Sequence, residues 1–505
     1  MTILRPFLLA LATLVTFTVA TAQTPGGTLT AAWSDTPGLD PHATTAYNSF
    51  QVLQQTLDTL VELDANLEPV PALAESWSLS DDGLVWTFEL RDDVTFSNGR
   101  AFTADDVVYT YERMLDPDVS GNTWRLSEVA SVEADGAHTV RFTLNAPNAG
   151  FLAKLGSGAP FGIIARESVE AGTIDAQGPI GTGPFVITDF QPGTSITLER
   201  NDAYWRTDAD GTPLPYLDGL QLNIIPDPSV KRSALVSGDV DWSLTVPLQS
   251  VEELEARDDV VVDATPAPSY HYIGLNTEVE PLDDVRVRRA IAEAIDREQI
   301  AEAATFGTGT ATQDPIPSTS QWAIDYAPYG GDLDAARALL EEAGVADGFA
   351  IDLMATTAYP EDIRAAQVIQ AQLAPLGIDV TIDTREFGDW LEQQAQGTYD
   401  TLILSWLVLL DPDDFFYAQH KSDGAFNVTG YENETLDDLL LRGRAETAFP
   451  DRYAIYEQVN REIVRDAPFI YLYNPANIQA YVPAVEGYAA RADQTIRFVE
   501  TWLND

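Results

Sequence analysis

The chain has 505 residues, of which 45% are hydrophobic and 21% are charged, a composition typical of a globular protein with two or three domains. Its formal net charge of −51 excludes nucleic acid and anionic lipid as favourable partners, because both carry negative charge themselves. The absence of cysteine from the sequence excludes disulfides, cysteine-ligated metals and cysteine nucleophiles.

The first 22 residues have the pattern of a secretory signal peptide. Arg5 precedes an apolar run from Phe7 to Ala20, and Ala20-Thr21-Ala22 is a cleavage site of the A-x-A type. A membrane anchor is the weaker alternative, because threonines interrupt the run and no stop-transfer flank follows it. We predict cleavage after Ala22 and a periplasmic location. Without a cysteine to carry a lipid, the exported protein is not expected to be a lipoprotein.

The first predicted strand and helix place two polar side chains in the loop between them. Residues 26–33 alternate as a strand, and a helix is predicted from about Ser49 to Leu60. Loops between the first strand and helix of an α/β unit commonly face a ligand. Tyr47 and Asn48 are therefore predicted to contact the ligand, and capping of the helix is the alternative role.

Residues 69–145 form a predicted α+β block. Asp82-Gly83 and Asp135-Gly136 each predict the turn of a hairpin, and Thr103 is the predicted cap of a helix. The sequence of this block contains no catalytic constellation.

The chain is predicted to cross between domains after Thr265-Pro266-Ala267-Pro268. Residues 269–276 alternate as a strand beside this hinge, and Tyr270 and His271 are predicted ligand contacts there. For His271 the alternative is a histidine packed within the hinge. Residues 283–303 are then predicted as one amphipathic helix.

Residues 349–406 have the clearest α/β pattern. Predicted strands over 349–355, 378–383 and 399–406 alternate with predicted helices over about 360–376 and 387–396, which implies parallel pairing. The strand at 399–406 is apolar enough to be buried on both faces, and the chain breaks at Asp411-Pro412. Because ligands bind at the carboxyl ends of such strands, Arg385, Trp406, Leu409 and Asp411 are predicted site residues.

The sequence contains no reactive constellation typical of an enzyme. Its four histidines lack metal-binding spacing, and no G-x-S-x-G motif is present. Adjacent acids such as Asp413-Asp414 are expected by chance among 79 acidic residues. We therefore predict a protein that is not an enzyme and that uses no metal or cofactor.

Several stretches in a fixed order carry a family resemblance. They are PALAESW followed by TFSNGRAFTADDVVYTYERML, then GTGPFVITDFQPGTSITLERNDAYW (181–205), LNTEVEPLDDVRVRRAIAEAIDREQI (275–300) and LDAARALLEEAG (333–344). Together they resemble the family 5 solute-binding proteins, which are the dipeptide-, oligopeptide- and nickel-type receptors of ABC importers. The resemblance covers essentially the whole chain after the signal peptide.

The resemblance implies an α/β, two-lobed periplasmic-binding-protein fold of type II-like topology. Its two discontinuous lobes are joined by two hinge strands, and it carries an extra α+β domain. Lobe I is expected at 23–65, 180–268 and 475–505, the extra domain at 66–179 and lobe II at 269–474. The chain would then cross between the lobes near 269–275 and near 471–477.

The resemblance also implies a function. Such a receptor captures a solute between its lobes, as a monomer, and delivers it to the transmembrane subunits of an ABC permease. A peptide is the implied solute, and an oligosaccharide or a nickel or metallophore complex is the alternative. A receptor that serves a sensor protein is a further possibility. His420 is the only histidine near the predicted site, so metal binding has little direct support.

One departure from the family pattern bears on the ligand. Peptide-binding members have an aspartate a few residues after the tryptophan that matches Trp406, and this aspartate binds the α-ammonium group of the peptide. Here Leu407-Val408-Leu409-Leu410 follow, and the next acid is Asp411. Either Asp411 binds the ammonium group, or the ligand has none and is partly apolar.

Other side chains fit one or the other ligand. A sugar ring could stack on Trp406, Trp390 or Trp242, although core packing is the alternative for each tryptophan. Arg385 could bind a carboxylate through two hydrogen bonds, or it could pair with Asp383 or Glu386 instead.

Overall fold

The structure is a computed structural model that describes residues 25–318, 320–406, 410–491 and 493–504. The predicted signal peptide and the predicted site residue Leu409 lie outside the described residues. Within the described ranges, none of the helices combines the length and apolar character required to cross a membrane.

The β-strands are distributed along the whole described chain. They are β1 (Thr28–Trp33), β2 (Val61–Leu63), β3 (Pro69–Pro71), β4 (Ala74–Leu79), β5 (Val85–Leu90), β6 (Val129–Ala134), β7 (Thr139–Leu144), β8 (Phe185–Gln191), β9 (Ser195–Arg200), β10 (Gly219–Ile224), β11 (Trp242–Ser243), β12 (Val261–Pro266), β13 (Tyr270–Leu275), β14 (Thr310–Ala311), β15 (Phe349–Thr356), β16 (Ile378–Arg385), β17 (Thr401–Trp406), β18 (Phe469–Asn474), β19 (Ala476–Tyr481), β20 (Val485–Glu486) and β21 (Trp502–Leu503).

The α-helices lie between these strands. They are α1 (Tyr47–Leu53), α2 (Ala104–Leu115), α3 (Phe151–Leu155), α4 (Arg166–Glu170), α5 (Ile174–Gln177), α6 (Pro228–Ser237), α7 (Val251–Glu255), α8 (Val285–Ala294), α9 (Arg297–Thr305), α10 (Leu333–Ala343), α11 (Pro360–Leu373), α12 (Phe387–Gln396), α13 (Asp413–His420), α14 (Glu434–Ala445) and α15 (Phe449–Asp466).

Lobe I is built on a seven-stranded sheet with the order β12-β19-β11-β1-β10-β9-β8. Strand β1 pairs in parallel with β10 on one side and with β11 on the other. The carboxyl ends of these three strands therefore lie at one edge of the sheet, which is where α/β sheets bind ligands. The sheet combines strands from distant parts of the chain. Strand β19, which follows lobe II in the sequence, pairs with β11 and with β12.

Lobe II is built on a six-stranded sheet with the order β14-β18-β13-β17-β15-β16. Strand β15 pairs in parallel with β16 and with β17, so the predicted β-α-β-α-β unit is confirmed. Strand β17 is buried over its first three residues and half-buried over its last three. The predicted burial on both faces therefore holds only for the first half of this strand.

The extra domain contains a four-stranded antiparallel sheet with the order β4-β5-β7-β6 and packs α2 against it. Both predicted hairpin turns are present, with Gly83 and Gly136 at positive φ angles of 72° and 84°. Tyr111 of α2 meets Phe142 of β7 edge to face, with ring centroids 4.9 Å apart.

Two segments carry the chain between the lobes. Residues 267–269 join β12 to β13, and Pro475 joins β18 to β19. The backbone N–H of Ala267 donates a hydrogen bond of 2.8 Å to the carbonyl oxygen of Pro475, so the two crossings run side by side as a hinge. The two-lobed fold with two crossings is confirmed, while the exact domain boundaries stay a prediction.

Two predicted helices differ from the observed ones. The helix predicted at 49–60 is α1, which begins at Tyr47 and ends at Leu53. It ends early because the carbonyl oxygen of Thr56 turns to accept a hydrogen bond of 3.0 Å from the N–H of Gly183. The helix predicted at 283–303 is two helices, α8 and α9, because Asp296 caps the second by accepting a hydrogen bond of 3.1 Å from the N–H of Gln299.

Candidate functional site

The two lobes and the extra domain meet around the segment that follows β17. Leu410 packs in an apolar cluster with Leu63 and Leu67, and Ala153 of the extra domain packs against the same cluster. The backbone N–H of Ala149, also in the extra domain, donates a hydrogen bond of 3.0 Å to the carbonyl oxygen of Arg444 in lobe II. The arrangement is that of a cleft with its walls in contact.

A small pocket that is partly open to solvent lies beside this contact. Its walls include Pro266 at the end of β12, Pro268 of the first crossing, residues 315–317 of lobe II, and Leu410 and Phe415 beyond β17. The lining is mostly apolar, so the pocket can receive an apolar part of a ligand.

Asp411 lines this pocket, but its carboxylate is already paired. The guanidinium of Arg452 donates two hydrogen bonds to it, of 2.5 and 2.6 Å, and both side chains are buried. The N–H of Asp413 donates a third, of 2.9 Å. Binding of a ligand ammonium group by Asp411 would compete with a buried ion pair, which disfavours the predicted role as an anchor.

Trp406 and its neighbour form an aromatic wall at the carboxyl end of β17. Trp406 is half-buried and meets the ring of Phe426 edge to face, with centroids 5.0 Å apart. Phe426 is 45% exposed, so the two rings offer surface to a ligand. The placement agrees with the predicted wall, whose contact with a ligand stays a prediction.

Tyr47 and Asn48 stand in the first turn of α1 rather than in the preceding loop. Tyr47 is 41% exposed, and its hydroxyl donates a hydrogen bond of 3.0 Å to the carbonyl oxygen of Gln494. Desolvation by the surrounding walls and the nearby carboxylate of Asp493 raise the pKa of Tyr47 above its usual range. Ala46 is the N-cap of this helix, so neither residue has the alternative capping role.

Trp242, Tyr270 and His271 are buried inside the lobes, which disfavours a ligand contact, although their predicted role in binding stays a prediction. Trp242 is fully buried in lobe I against Trp33, with ring centroids 5.5 Å apart. Tyr270 is fully buried in lobe II, and its hydroxyl donates to the side-chain oxygen of Gln419. Both faces of these sheets are covered, so alternation along a strand did not indicate which face meets the cleft.

His271 is bound on two sides within lobe II. Its Nδ1 lies 2.6 Å from Oδ1 of Asp362, and its ring stacks on that of Tyr473 with centroids 4.4 Å apart. These contacts favour the alternative of a packed hinge histidine over a ligand contact.

Two further side chains that were considered for ligand binding, Arg385 and Trp390, contact other residues of lobe II. Arg385 pairs with Asp383 at 2.7 Å and with Asp389 at 2.9 Å, which corresponds to the predicted alternative of an ion pair. Trp390 is fully buried, and its Nε1–H donates a hydrogen bond of 3.4 Å to the carbonyl oxygen of Met354. Core packing is thus the observed role of Trp390.

A group of charged side chains at the contact between the walls was missed by sequence reasoning. Lys154 of the extra domain pairs with Glu128 at 2.5 Å, and Arg444 of lobe II pairs with Asp413 at 2.8 Å. The one available signal was Lys154, because lysine is rare in this sequence. The acids gave no signal among so many others.

Asp414 lies among these pairs in a half-buried position. Burial raises the pKa of its carboxyl group to about 7, Lys154 acts in the opposite direction, and the nearby carboxylates of Asp411 and Asp413 add to the increase. An aspartate with a pKa near neutrality is uncommon, and such groups concentrate at functional sites.

Metal binding has no support in the geometry. Within the described ranges, no group of three or more histidine, aspartate or glutamate side chains could hold an ion. His420 is fully buried, its Nε2 lies 3.0 Å from the hydroxyl of Tyr471, and burial lowers its pKa to about 3.

Comparison with known proteins places the chain among solute receptors. The family model of the bacterial extracellular solute-binding proteins, family 5 Middle, matches residues 68–427. "Heme-binding protein A" of Haemophilus influenzae is 31% identical over 88% of this chain and 86% of its own length. The "Dipeptide-binding protein" of Escherichia coli is 29% identical over 89% and 90%.

Solved structures agree over nearly the whole chain. HbpA2 from Haemophilus parasuis has a TM-score of 0.87 at 28% identity and covers 95% of this chain and 100% of its own. The periplasmic binding protein DppA from Helicobacter pylori, in complex with the peptide STSA, has a TM-score of 0.77 at 30% identity and covers 95% and 99%.

Proposed function

The chain belongs to family 5 of the bacterial extracellular solute-binding proteins, as its motifs predicted, and on that premise we propose that it is the receptor of an ABC importer for peptides. The choice of a peptide as the solute rests on the similarity to the DppA structure, which contains a bound peptide and covers 95% of this chain. The E. coli relative, named as a dipeptide-binding protein, supports the same choice.

Closure of the lobes on the ligand is the proposed mechanism. The paired crossings at 267–269 and Pro475 form a short hinge, and the walls at Ala149 and Arg444 touch when the cleft is shut. A ligand that contacts both walls stabilises the closed form over the open one, and the permease then recognises that form. The proposed partners are accordingly the transmembrane subunits of the permease.

Export and the absence of catalysis belong to the same proposal. We propose that the signal peptide is cleaved after Ala22, that the product is a periplasmic monomer without a lipid anchor, and that it is not an enzyme. The pattern of residues 1–22 and the lack of cysteine in the sequence support the export route.

A thermal-shift screen of the exported protein tests the choice of solute. The panel contains dialanine, trialanine, leucyl-leucine and alanyl-leucyl-alanine beside maltose, cellobiose and nickel(II) histidine. We expect peptides to raise the melting temperature, since a ligand at about 100 times its Kd stabilises the folded state by about 2.7 kcal/mol. A clear shift with a saccharide or the nickel complex and none with any peptide would overturn the proposal.

A further inference from the structure

We infer that the extra domain helps to hold the cleft shut. Its segment 148–154, called the latch below, closes onto lobe II when a solute is enclosed, and Gly150 is the residue that permits this contact. The inference rests on the proposed function only in requiring that a solute closes the cleft, so it holds for a peptide and for any other solute. It gives the extra domain a part in retaining the solute, in addition to the two lobes.

The latch meets lobe II at the carboxyl end of α14. The backbone N–H of Ala149 donates a hydrogen bond of 3.0 Å to the carbonyl oxygen of Arg444, the penultimate residue of that helix. The last four carbonyl groups of a helix have no partner within the helix, so the latch supplies a donor that the helix end lacks. The helix end is fixed in position, because the guanidinium of Arg444 pairs with Asp413 at 2.8 Å.

The shape of the latch is set within the extra domain. Oδ1 of Asn148 accepts a hydrogen bond of 3.0 Å from the N–H of Gly150, and Nδ2 of Asn148 donates one of 3.3 Å to Oε1 of Glu128. Lys154, at the other end of the latch, donates a hydrogen bond of 2.5 Å to the same oxygen. None of these partners belongs to lobe II, so the latch keeps its shape when the cleft opens, and closure requires little further ordering.

Gly150 brings the latch against the carboxylate of Asp411. A Cβ at position 150 would lie 3.0 Å from both Cγ and Oδ1 of Asp411, which is closer than an ordinary van der Waals contact. Asp411 cannot move away, because Arg452 and the N–H of Asp413 hold its carboxylate. The nearest atom of the extra domain itself is Oδ1 of Asn148, at 3.3 Å, so a side chain at position 150 conflicts first with lobe II.

The backbone of Gly150 does not itself require glycine. Its φ of −75° and ψ of −9° lie in the right-handed helical region, which other residues adopt without strain. The absence of a Cβ is therefore required by the proximity of lobe II and not by the backbone conformation. A larger residue at this position acts on the closed contact and leaves the backbone of the extra domain unstrained.

A small apolar contact accompanies the polar one. Leu410 of lobe II packs with Leu63 and Leu67, and Ala153 of the latch packs against the same cluster. All three leucines are buried in the closed arrangement. One hydrogen bond and one small apolar cluster stabilise closure only weakly, so the latch opens to admit and release the solute.

Spin labels on the two sides of the latch contact test the inference. The chain contains no cysteine, so Ala146→Cys and Ala445→Cys, both at exposed positions, provide the only labelling sites. Pulsed electron paramagnetic resonance measures the distance between the labels with and without the tightest-binding compound of the thermal-shift panel. With glycine at position 150 we expect a short-distance population that increases when the compound is added. Gly150→Ala should reduce this population, and Gly150→Leu should abolish it.

Calorimetry measures the effect of the latch on affinity. Gly150→Leu should weaken binding by about 10- to 100-fold, since overpacking of a close contact destabilises it by an amount of that order. The latch acts on the population of the closed form, so the factor should be the same for every compound that binds. A residue that contacted the solute would instead weaken the binding of different compounds unequally.

Gly330 provides the matched control. It is an exposed glycine of lobe II, and a Cβ there meets no atom closer than 3.7 Å. Gly330→Leu should change neither the distances between the labels nor the affinity. The melting temperature of each unliganded variant establishes that it is folded, and Gly150→Ala provides the same test should Gly150→Leu fail to fold.

The outcomes separate this inference from the proposed function. A short-distance population that persists in the Gly150 variants, or that the bound compound does not increase in the wild type, would overturn the inference and leave the choice of solute intact. Binding of a saccharide and of no peptide would overturn the peptide proposal and leave this test unchanged. If no compound binds, the short-distance population must be present in the unliganded wild type and lower in Gly150→Ala, and any other result overturns the inference.

Discussion

Replacing Arg452 by methionine leaves the carboxylate of Asp411 buried without its partner, and we expect this single change to destabilise lobe II strongly. The two side chains are only 5% and 6% exposed, so solvent does not screen the loss. Removing one partner of a buried ion pair costs about 3–5 kcal/mol. The lost hydrogen bond of 2.8 Å from Nε of Arg452 to the carbonyl oxygen of Gly443 adds about 1 kcal/mol.

The double variant Arg452→Met with Asp411→Leu separates a structural role from a binding role. Both new side chains are apolar, so no charge remains buried, and we expect the double variant to recover to within about 2 kcal/mol of the wild type. Methionine also keeps a flexible apolar contact with Trp322, over which the guanidinium now lies 5.1 Å from the ring centroid.

Urea unfolding, monitored by circular dichroism, measures these differences in the free energy of unfolding. Hydrogen exchange of the backbone amides in α15 shows whether the loss of stability lies in lobe II. We expect the transition midpoint to fall in the single variant and to return in the double variant with an unchanged slope. A loss below about 1 kcal/mol in the single variant, or an equal loss in both, would refute the reasoning that the pair is structural.

Further predictions concern the site and the packing of the fold. Burial raises the pKa of Asp414 to about 7, so its ionised carboxylate destabilises the folded protein by an amount that is absent near pH 4 and complete above about pH 7. Asp414→Asn should therefore raise the melting temperature more at pH 8 than at pH 4. Trp406→Ala should weaken peptide binding by about tenfold or more, and unchanged affinity in calorimetry would remove the residue from the site. Gly181→Ala should prevent folding or lower the free energy of unfolding by more than about 3 kcal/mol, because its Cβ would lie 2.0 Å from the carbonyl oxygen of Thr56. In the control variant Gly330→Ala the Cβ meets no atom closer than 3.7 Å, so urea titration should show little change in stability.

Local patterns predicted the elements of lobe II and the hairpins of the extra domain. The strands and helices over 349–406 have apolar residues at the required periods. Gly397 ends α12 at a positive φ angle of 65°, and Gly377, at 76°, ends the 3-10 turn that follows α11. The early end of α1 could not be predicted, because it depends on Gly183, which is distant in sequence and adjacent in space.

The position of the carboxyl end of β17 was predicted better than the contacts of individual side chains. The carboxyl end of β17 does lie at the contact between the walls, as parallel pairing requires. The pairing of Asp411 was not predictable, because its partner Arg452 is 41 residues away in sequence and reaches it only in the folded lobe. The burial of His271 and Trp242 was not predictable for a related reason, since strands covered on both faces have no alternation that distinguishes the cleft from the core.

Small-angle X-ray scattering of the wild type with and without saturating peptide is the most direct test of the central claim that a peptide is enclosed between the two lobes. We predict that the radius of gyration falls on addition of the peptide and that the bound scattering curve matches the closed arrangement in which Ala149 contacts Arg444. An unchanged radius of gyration under conditions where calorimetry records binding would contradict the account.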